Sequence, residues 1–296
     1  MRRCKRCKIR RGEVYFKSYN LCVCRDCFLE LFEKRVVSAI EKFKMFAKED
    51  KVLVAVSGGK DSLSLWKALD ELGFKTTGLY INLGIGEYSE MSEEKVVNFA
   101  QKNGLYFKIV KVKDLLKKGI EELSRKIKRT PCRVCGTIKR YIMNKEAKDF
   151  FCVATGHNLD DEASLLLGNL LNWQKGYLER QFPVLDNHKS LRKKVKPFCF
   201  CLEQEISFYA FLKGIDYIQE ECPLSKGATS LFYKKILNEI EEKMPTTKIR
   251  FYKQFLRQDF LKRKEEVNLK PCKNCGYLTV SEVCNFCKLR EKVLAG

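Results

Sequence analysis

The sequence predicts an α/β protein with a doubly wound parallel sheet, flanked by a small cysteine-rich module at each end. Two observations carry this. Short apolar runs alternate with amphipathic stretches between residues 51 and 171, and C-x-x-C pairs crowd both termini. Strands that alternate with helices form parallel sheets with helices packed on them.

The elements follow in order. Residues 4–27 hold five cysteines and few helix signals, the pattern of a small metal-folded module. In residues 28–48, Leu31, Phe32, Val36, Ala39, Ile40, Phe43 and Phe46 recur at three- and four-residue steps, which predicts an amphipathic linker helix. Lys51-Val52-Leu53-Val54-Ala55-Val56 is a short apolar run suited to a buried parallel strand. A helix over 60–72, a strand over 76–82, a helix over 90–103 and a strand over 106–110 come next. Helical patterns occupy 136–149, a strand 150–155 and a helix 160–171; beyond residue 200 the pattern is mostly helical, and 270–287 form the second cysteine module.

With 296 residues, 45% of them hydrophobic, and 20 Phe and 12 Tyr, the chain can build a packed core. No apolar run approaches the ~18 residues of a membrane-spanning helix. The basic N-terminus (Arg2, Arg3, Lys5, Arg6) is followed by no apolar stretch of a secretory signal, so the expected compartment is the cytoplasm, with no membrane partner. In the cytosol, fifteen cysteines mostly arranged as C-x-x-C argue for metal rather than disulfides. The net charge of +21 is gathered in blocks: seven Lys/Arg and no acid in 1–11, fourteen against four in 108–148, and ten against three in 243–273. A solvated lysine-rich surface would intersperse the signs, so one-sign blocks favour a polyanion, and nucleic acid over membrane.

VLVAVSGGKDS, residues 52–62, is the most informative stretch. A buried strand ends at Ser57, Gly58 and Gly59 make a tight turn open to a phosphate, and a helix begins near Lys60. The helix N-terminus supplies unpaired N–H groups and partial positive charge. Lys60 adds a full charge, Ser57 and Ser62 can donate hydrogen bonds, and Asp61 can hold Mg²⁺. The spacing differs from the G-x-x-x-x-G-K-[ST] loop. An ordinary strand-to-helix turn is the alternative.

Pro131-Cys132-Arg133-Val134-Cys135-Gly136 places two thiols at a turn, with Cys222 a distant third ligand. A third zinc site, a redox pair, an inert pair and a cluster site all remain open on these residues alone. GHNLDDEA follows a strand and so lies at the carboxyl end of the sheet, where ligands bind. There Gly156 permits close approach of a nucleotide. Asp160 or Asp161 either orients Mg²⁺, transfers protons or caps the next helix; His157 acts in catalysis or caps a loop. Cys4, Cys7, Cys24 and Cys27 match a tetrahedral zinc ribbon with Cys22 in surplus, and Cys272, Cys275, Cys284 and Cys287 match a second. Cys152 reads as core; Cys199 and Cys201 have no assigned role.

SGGKDS resembles the PP-loop of the ATP-pyrophosphatase superfamily, which implies cleavage of ATP between the α and β phosphates. Together with PCRVCG, TIKRYIMNKEAKDF (137–150), ATGHNLDDEASLLLGNLL (154–171) and EECPLSKGAT, it closely resembles the TtuA branch of the tRNA 2-thiouridine synthetases, over nearly the whole chain. The resemblance implies an N-terminal zinc-binding module over 1–33, a linker helix over 34–50 and a PP-loop catalytic domain over 51–230. A helical extension over 231–268 and a C-terminal zinc-binding module over 269–296 follow. It implies two Zn²⁺ in the terminal modules; Cys27 stands where family members often have His. It also implies a [4Fe–4S] cluster on Cys132, Cys135 and Cys222, one iron being left open to hold hydrosulfide. ATP with Mg²⁺ would meet Ser57, Gly58, Gly59, Lys60, Asp61, Ser62 and Gly156, with adenine near Ala55, Val56 and Ile81 and Lys139 facing the nucleotide. The candidate catalytic residues are Asp61, Lys139, Asp160 and Asp161.

The expected reaction is adenylation of a tRNA uridine, at T-loop position 54, followed by sulfur transfer to give 2-thiouridine or 5-methyl-2-thiouridine. A ubiquitin-like carrier with a C-terminal thiocarboxylate would bring the sulfur, and the family is commonly a homodimer. The rivals are a thiolase of the wobble uridine, another PP-loop enzyme such as a lysidine synthetase, and a non-catalytic zinc-ribbon RNA-binding protein.

Overall fold

The computed structural model of the chain describes residues 3–187, 191–225, 229–258 and 269–294. Arg2 of the first basic block, residues 226–228 of EECPLSKGAT and residues 259–268 of the third block lie outside them.

The chain opens with an antiparallel pair, β1 (Val14–Phe16) and β2 (Leu21–Val23), then α1 (Arg25–Lys42). It continues through β3 (Lys51–Val56), α2 (Lys60–Glu71), β4 (Lys75–Asn82), α3 (Gly86–Asn103), β5 (Phe107–Lys111), α4 (Val112–Leu116), α5 (Ile120–Ile127) and α6 (Pro131–Glu146). Next come β6 (Cys152–Thr155), α7 (Leu159–Leu171), α8 (Lys175–Leu178), β7 (Val184–Leu185), β8 (Lys193–Val195) and α9 (Glu203–Leu212). The chain closes with α10 (Thr229–Lys243), α11 (Thr247–Phe255), the short pair β9 (Lys270–Pro271) and β10 (Leu278–Thr279), and α12 (Asn285–Leu294).

Six strands form the central sheet in the order β5-β4-β3-β6-β8-β7, parallel throughout except for β7 at the edge. After β3 the chain lays down β4 and β5 on one side, then returns to place β6 on the other. The carboxyl ends of β3 and β6 therefore flank the topological switch point, where the two connections diverge and leave a crevice.

Alternation along β3 divides the core between the two faces of the sheet. Val52, Val54 and Val56 pack with α1, α2, α3, α7, α9 and α11, while Leu53 packs with α4, α5, α6 and α12. On α6, Val134, Ile138 and Ile142 recur at four-residue steps and face that second layer. Among the described residues no helix is long and apolar enough to cross a membrane.

The terminal modules are docked on opposite layers. Phe32 of α1 stacks on Tyr209 of α9 at 4.5 Å, and Arg35 pairs with the buried Glu205. At the other end Tyr141 of α6 stacks on Phe286 of α12 at 3.8 Å, and Asn144 Nδ2 donates to the Tyr277 hydroxyl at 2.6 Å. The helix carrying the Cys132/Cys135 pair is thus the surface on which the C-terminal module rests.

Several boundaries differ from the expected ones. The helix expected from 136 begins at Pro131, because proline at the first helical position costs no hydrogen bond. Cys132 and Cys135 consequently lie on the first turn of a helix rather than at a turn, three residues apart on one face. The linker helix begins at Arg25 and ends at Lys42. Strands β7 and β8 were not expected at all. Cys152, Cys199 and Cys201 are all fully buried core residues.

Candidate functional site

Two loops meet at the switch point, one after β3 and one after β6. The β3 loop turns at Gly58, whose φ of +80° places it in the left-handed region that glycine tolerates. A side chain there would also fall 2.7 Å from the Ser92 carbonyl oxygen. The loop is held from within: the Ser57 backbone N–H donates to Ser62 Oγ at 3.0 Å, and Ser62 Oγ donates to the Gly59 carbonyl at 3.1 Å. Helix α2 then starts at Lys60 with Gly59 as its N-cap and no side chain capping it, so its first N–H groups are left to a ligand.

Gly156, in the β6 loop, lines the cavity and also lets two loops meet. A Cβ there would lie 2.9 Å from the backbone of Asp61 and Ser62, so its missing side chain lets the two loops touch. Asn158 caps α7 by accepting from the Asp161 N–H at 3.0 Å, and Asp161 Oδ2 accepts in return from the Asn158 N–H at 3.2 Å.

Above these loops lies a cavity of about 430 Å³. Its wall brings together Ala55, Val56, Ser57, Asp61, Ser62, Ile81, Lys139, Gly156, His157 and Asp161 with two of the three cysteines expected to share a cluster, Cys135 and Cys222. Residues drawn from five parts of the sequence thus share one cavity. Leu79, Ile81, Leu83 and Met143 give it an apolar side suited to a flat base, opposite the polar loop edge. Gly58, Gly59 and Lys60 are not part of the wall; the Lys60 ammonium turns to Glu203 at 2.5 Å.

The carboxylates differ in what they have to spare. Asp160 is buried and outside the cavity wall, with Oδ1 on Lys248 and Oδ2 accepting from the Glu203 N–H at 2.7 Å. Asp161 reaches the wall, but its Oδ1 accepts from Lys234 at 3.0 Å and its Oδ2 caps α7. Asp61 has an oxygen, Oδ1, with no hydrogen-bond partner, the Lys60 ammonium being 3.3 Å away. Burial raises the Asp61 carboxyl to about 6 against the opposing pull of Lys60, and Asp161 and Glu203 add to the rise. Of the three, Asp61 has the geometry of a cation ligand. His157 Nδ1 lies 2.9 Å from Thr155 Oγ1, a hydrogen bond within the loop.

The cysteines fall into two kinds. Cys4, Cys7, Cys24 and Cys27 have sulfurs all within 4.8 Å of one another, as do Cys272, Cys275, Cys284 and Cys287. The 4.0 Å between Cys7 and Cys24 and the 3.8 Å between Cys275 and Cys284 match the ~3.8 Å edge of a tetrahedron with ~2.3 Å metal–sulfur bonds. Backbone N–H groups of Cys284 and Cys287 point at Cys272 Sγ (3.2 Å) and Cys284 Sγ (3.4 Å), favouring thiolate. Both quartets therefore fit a metal ion. Cys22, on β2, stands outside the N-terminal quartet.

Cys132, Cys135 and Cys222 gather more loosely: among the described residues they form no trio within 4.8 Å. Cys132 is exposed, 3.7 Å from the Leu224 carbonyl, just two residues beyond Cys222. Burial pushes the Cys135 thiol up, while the neighbouring Lys139 ammonium pulls it down. The trio thus lacks the close grouping that each quartet has.

Sequence reasoning missed Tyr88 and Met143 on the wall, and Glu203 and Lys234 behind it. Tyr88 lies in a stretch that resembles any solvated helix, and no local signal marks it.

Residues 30–226 match the model of the PP-loop domain family. The chain is 46% identical over 98% of its length to a tRNA-5-methyluridine(54) 2-sulfurtransferase of Thermus thermophilus, covering 91% of that protein. It is 43% identical to the protein of the same name from Thermotoga maritima, over 98% of this chain and 97% of that one. Among solved structures it superposes on the U34-tRNA thiolase NcsA from Methanococcus maripaludis, solved with its [4Fe–4S] cluster. The TM-score is 0.84 at 26% identity, covering 98% and 95% of the two chains.

Proposed function

This chain belongs to the PP-loop domain family, and we propose that it is a tRNA 2-sulfurtransferase that uses ATP to thiolate the T-loop uridine at position 54. The observation that carries the reading is a cavity at the switch point shared by the SGGKDS loop, Lys139, Cys135 and Cys222. The position follows relatives above 40% identity that are named for it.

The base of ATP fits the apolar side near Ala55, Val56 and Ile81, and the phosphates fit the loop edge. There the first amides of α2 present partial positive charge and Ser57 and Ser62 keep the loop in shape. The oxygen on the second carbon of the uridine attacks the α-phosphorus and pyrophosphate leaves; Lys139 stabilises the charge that develops. A sulfur nucleophile then adds to that carbon, the carbon–oxygen bond breaks, and the oxygen departs with AMP. No electron is gained or lost.

Asp61, whose Oδ1 accepts no hydrogen bond and meets only the Lys60 ammonium, is the residue to hold Mg²⁺ beside the phosphates. Cys132, Cys135 and Cys222 are the residues to hold a [4Fe–4S] cluster. With three protein ligands for four irons, it would supply a position where sulfur becomes nucleophilic. The two quartets hold structural Zn²⁺, since four thiolates close the coordination sphere. We assign the sulfur supply to a ubiquitin-like carrier with a C-terminal thiocarboxylate, and the setting to the cytoplasm. A homodimer belongs to the same reading and is checked by mass in solution.

The test incubates the metal-loaded protein with tRNA, ATP and a sulfide source, then maps sulfur by nucleoside mass spectrometry after site-specific cleavage. Sulfur at position 54 with equimolar AMP supports the reading. Sulfur at position 34 would instead follow the likeness to NcsA, and AMP without thiolated base would reject sulfur transfer.

A further inference from the structure

At the cavity wall and behind it, five charged side chains from four helices form a row of alternating sign. Lys60 reaches Asp61 Oδ1 at 3.3 Å and Glu203 Oε1 at 2.5 Å. Lys234 reaches the other oxygen of Glu203 at 2.6 Å and Asp161 Oδ1 at 3.0 Å. The order is therefore Asp61, Lys60, Glu203, Lys234, Asp161, and the two terminal carboxylates both face the cavity. Glu203 is the keystone, because it alone touches both lysines.

The keystone is itself fixed. Glu203 is the first residue of α9, where a helix N-terminus favours a carboxylate. Its N–H donates to Asp160 Oδ2 at 2.7 Å, and Asp160 is in turn held by the buried Lys248. Burial works against the Glu203 carboxylate, yet the bonds from Lys234 and Lys60 outweigh it and hold the group at about 2. The side chains of the row are between 18% and 33% exposed, so solvent screens it only in part.

We infer that Glu203 and Lys234 are positioning residues for the ATP step, holding Lys60 and the two cavity aspartates in one prearranged row. Neither lines the cavity, so each acts through a neighbour. A free lysine samples many rotamers, and a charge that must be ordered during reaction stabilises the transition state less than one already in place. The inference rests on the ATP-dependent reading above and extends it to α9 and α10.

The test measures tRNA-dependent AMP formation and ATP affinity for the wild type, Glu203→Gln, Lys234→Met, the double variant and Lys234→Arg. Each is first checked for a wild-type circular dichroism spectrum. Loss of position should lower kcat roughly 10- to 100-fold while the ATP dissociation constant moves less than about threefold. The double variant should be no worse than the worse single one, because the two act as a unit, and Lys234→Arg should recover most of the rate. If Glu203→Gln does not fold, Lys234→Met reads the same row. A folded variant with kcat within about threefold of wild type, or multiplicative losses in the double variant, would overturn the row. Absence of AMP formation by the wild type would reject the underlying reading, and this inference with it.

Discussion

In each terminal module three of four cysteines are buried and all four sulfurs lie within 4.8 Å of one another. At the cavity Cys132 is exposed, Cys135 and Cys222 are half-buried, and the three are more widely set. An ion held by either quartet would have four thiolates and no open position, which suits a structural role. Two of the trio, Cys135 and Cys222, line a chamber shared with the SGGKDS loop, and three thiols are too few to close a tetrahedral site. On the reading proposed above, the same side chain serves folding where it is crowded and chemistry where it is sparse.

The contrast is broken most sharply by moving one sulfur of each kind. Cys222→Ala should abolish thiolation, by roughly a hundredfold or more, yet shift the melting temperature by no more than about 2 °C. Cys287→Ser should do the reverse to the fold. Structural zinc in small modules contributes roughly 10–16 kcal/mol of apparent binding energy, so loss of one ligand should unfold the C-terminal module, seen as protease cleavage near residue 270. Equal effects of the two changes on melting would erase the distinction.

A change that touches no sulfur calibrates the scale. Phe286→Ala removes the ring that stacks on Tyr141 and should cost about 3–5 kcal/mol of module docking, measured by urea unfolding. Because α6 carries both Tyr141 and the Cys132/Cys135 pair, the variant should also lose affinity for iron while retaining zinc. On the opposite layer, Arg35→Ala strands the buried Glu205 and should cost about 3 kcal/mol, with the cavity unaffected.

The smallest effect concerns pH. Burial raises the Asp61 carboxyl from 3.8 to about 6 in the folded chain, despite Lys60. Between those values the folded chain keeps a proton that the unfolded chain has lost, so stability falls as pH rises through this window. Asp61→Asn should therefore be more stable than wild type above pH 6, with the advantage gone near pH 4. In the wild type, kcat/KM for ATP should decline below about pH 6, where the carboxylate is lost.

Much of the fold was legible because its signals are local. The run at 51–56 is a strand whichever way the rest packs, and Gly58 announces the turn that follows. Strands β7 and β8 left no such trace: they are two and three residues long, and β8 reads Lys-Lys-Val. Only pairing with β6 makes them strands.

The site was legible to the same degree. SGGKDS and the C-x-x-C pairs carry their chemistry in their spacing, and the structure brings residues from them to one cavity or one quartet. Glu203 and Lys234 carry none. Each is an ordinary surface residue type, and Glu203 stands 143 positions from the lysine it holds. Gly156 shows a subtler limit, since the sequence signals a close approach without saying that the approaching group is the backbone of Asp61 and Ser62.

The division of labour among the cysteines is tested most directly by iron and zinc analysis of anaerobically purified and reconstituted protein, wild type beside Cys222→Ala. The account expects about two zinc ions per chain in both, and about four irons in the wild type alone. Iron bound equally by Cys222→Ala, or no iron in the reconstituted wild type, would contradict it.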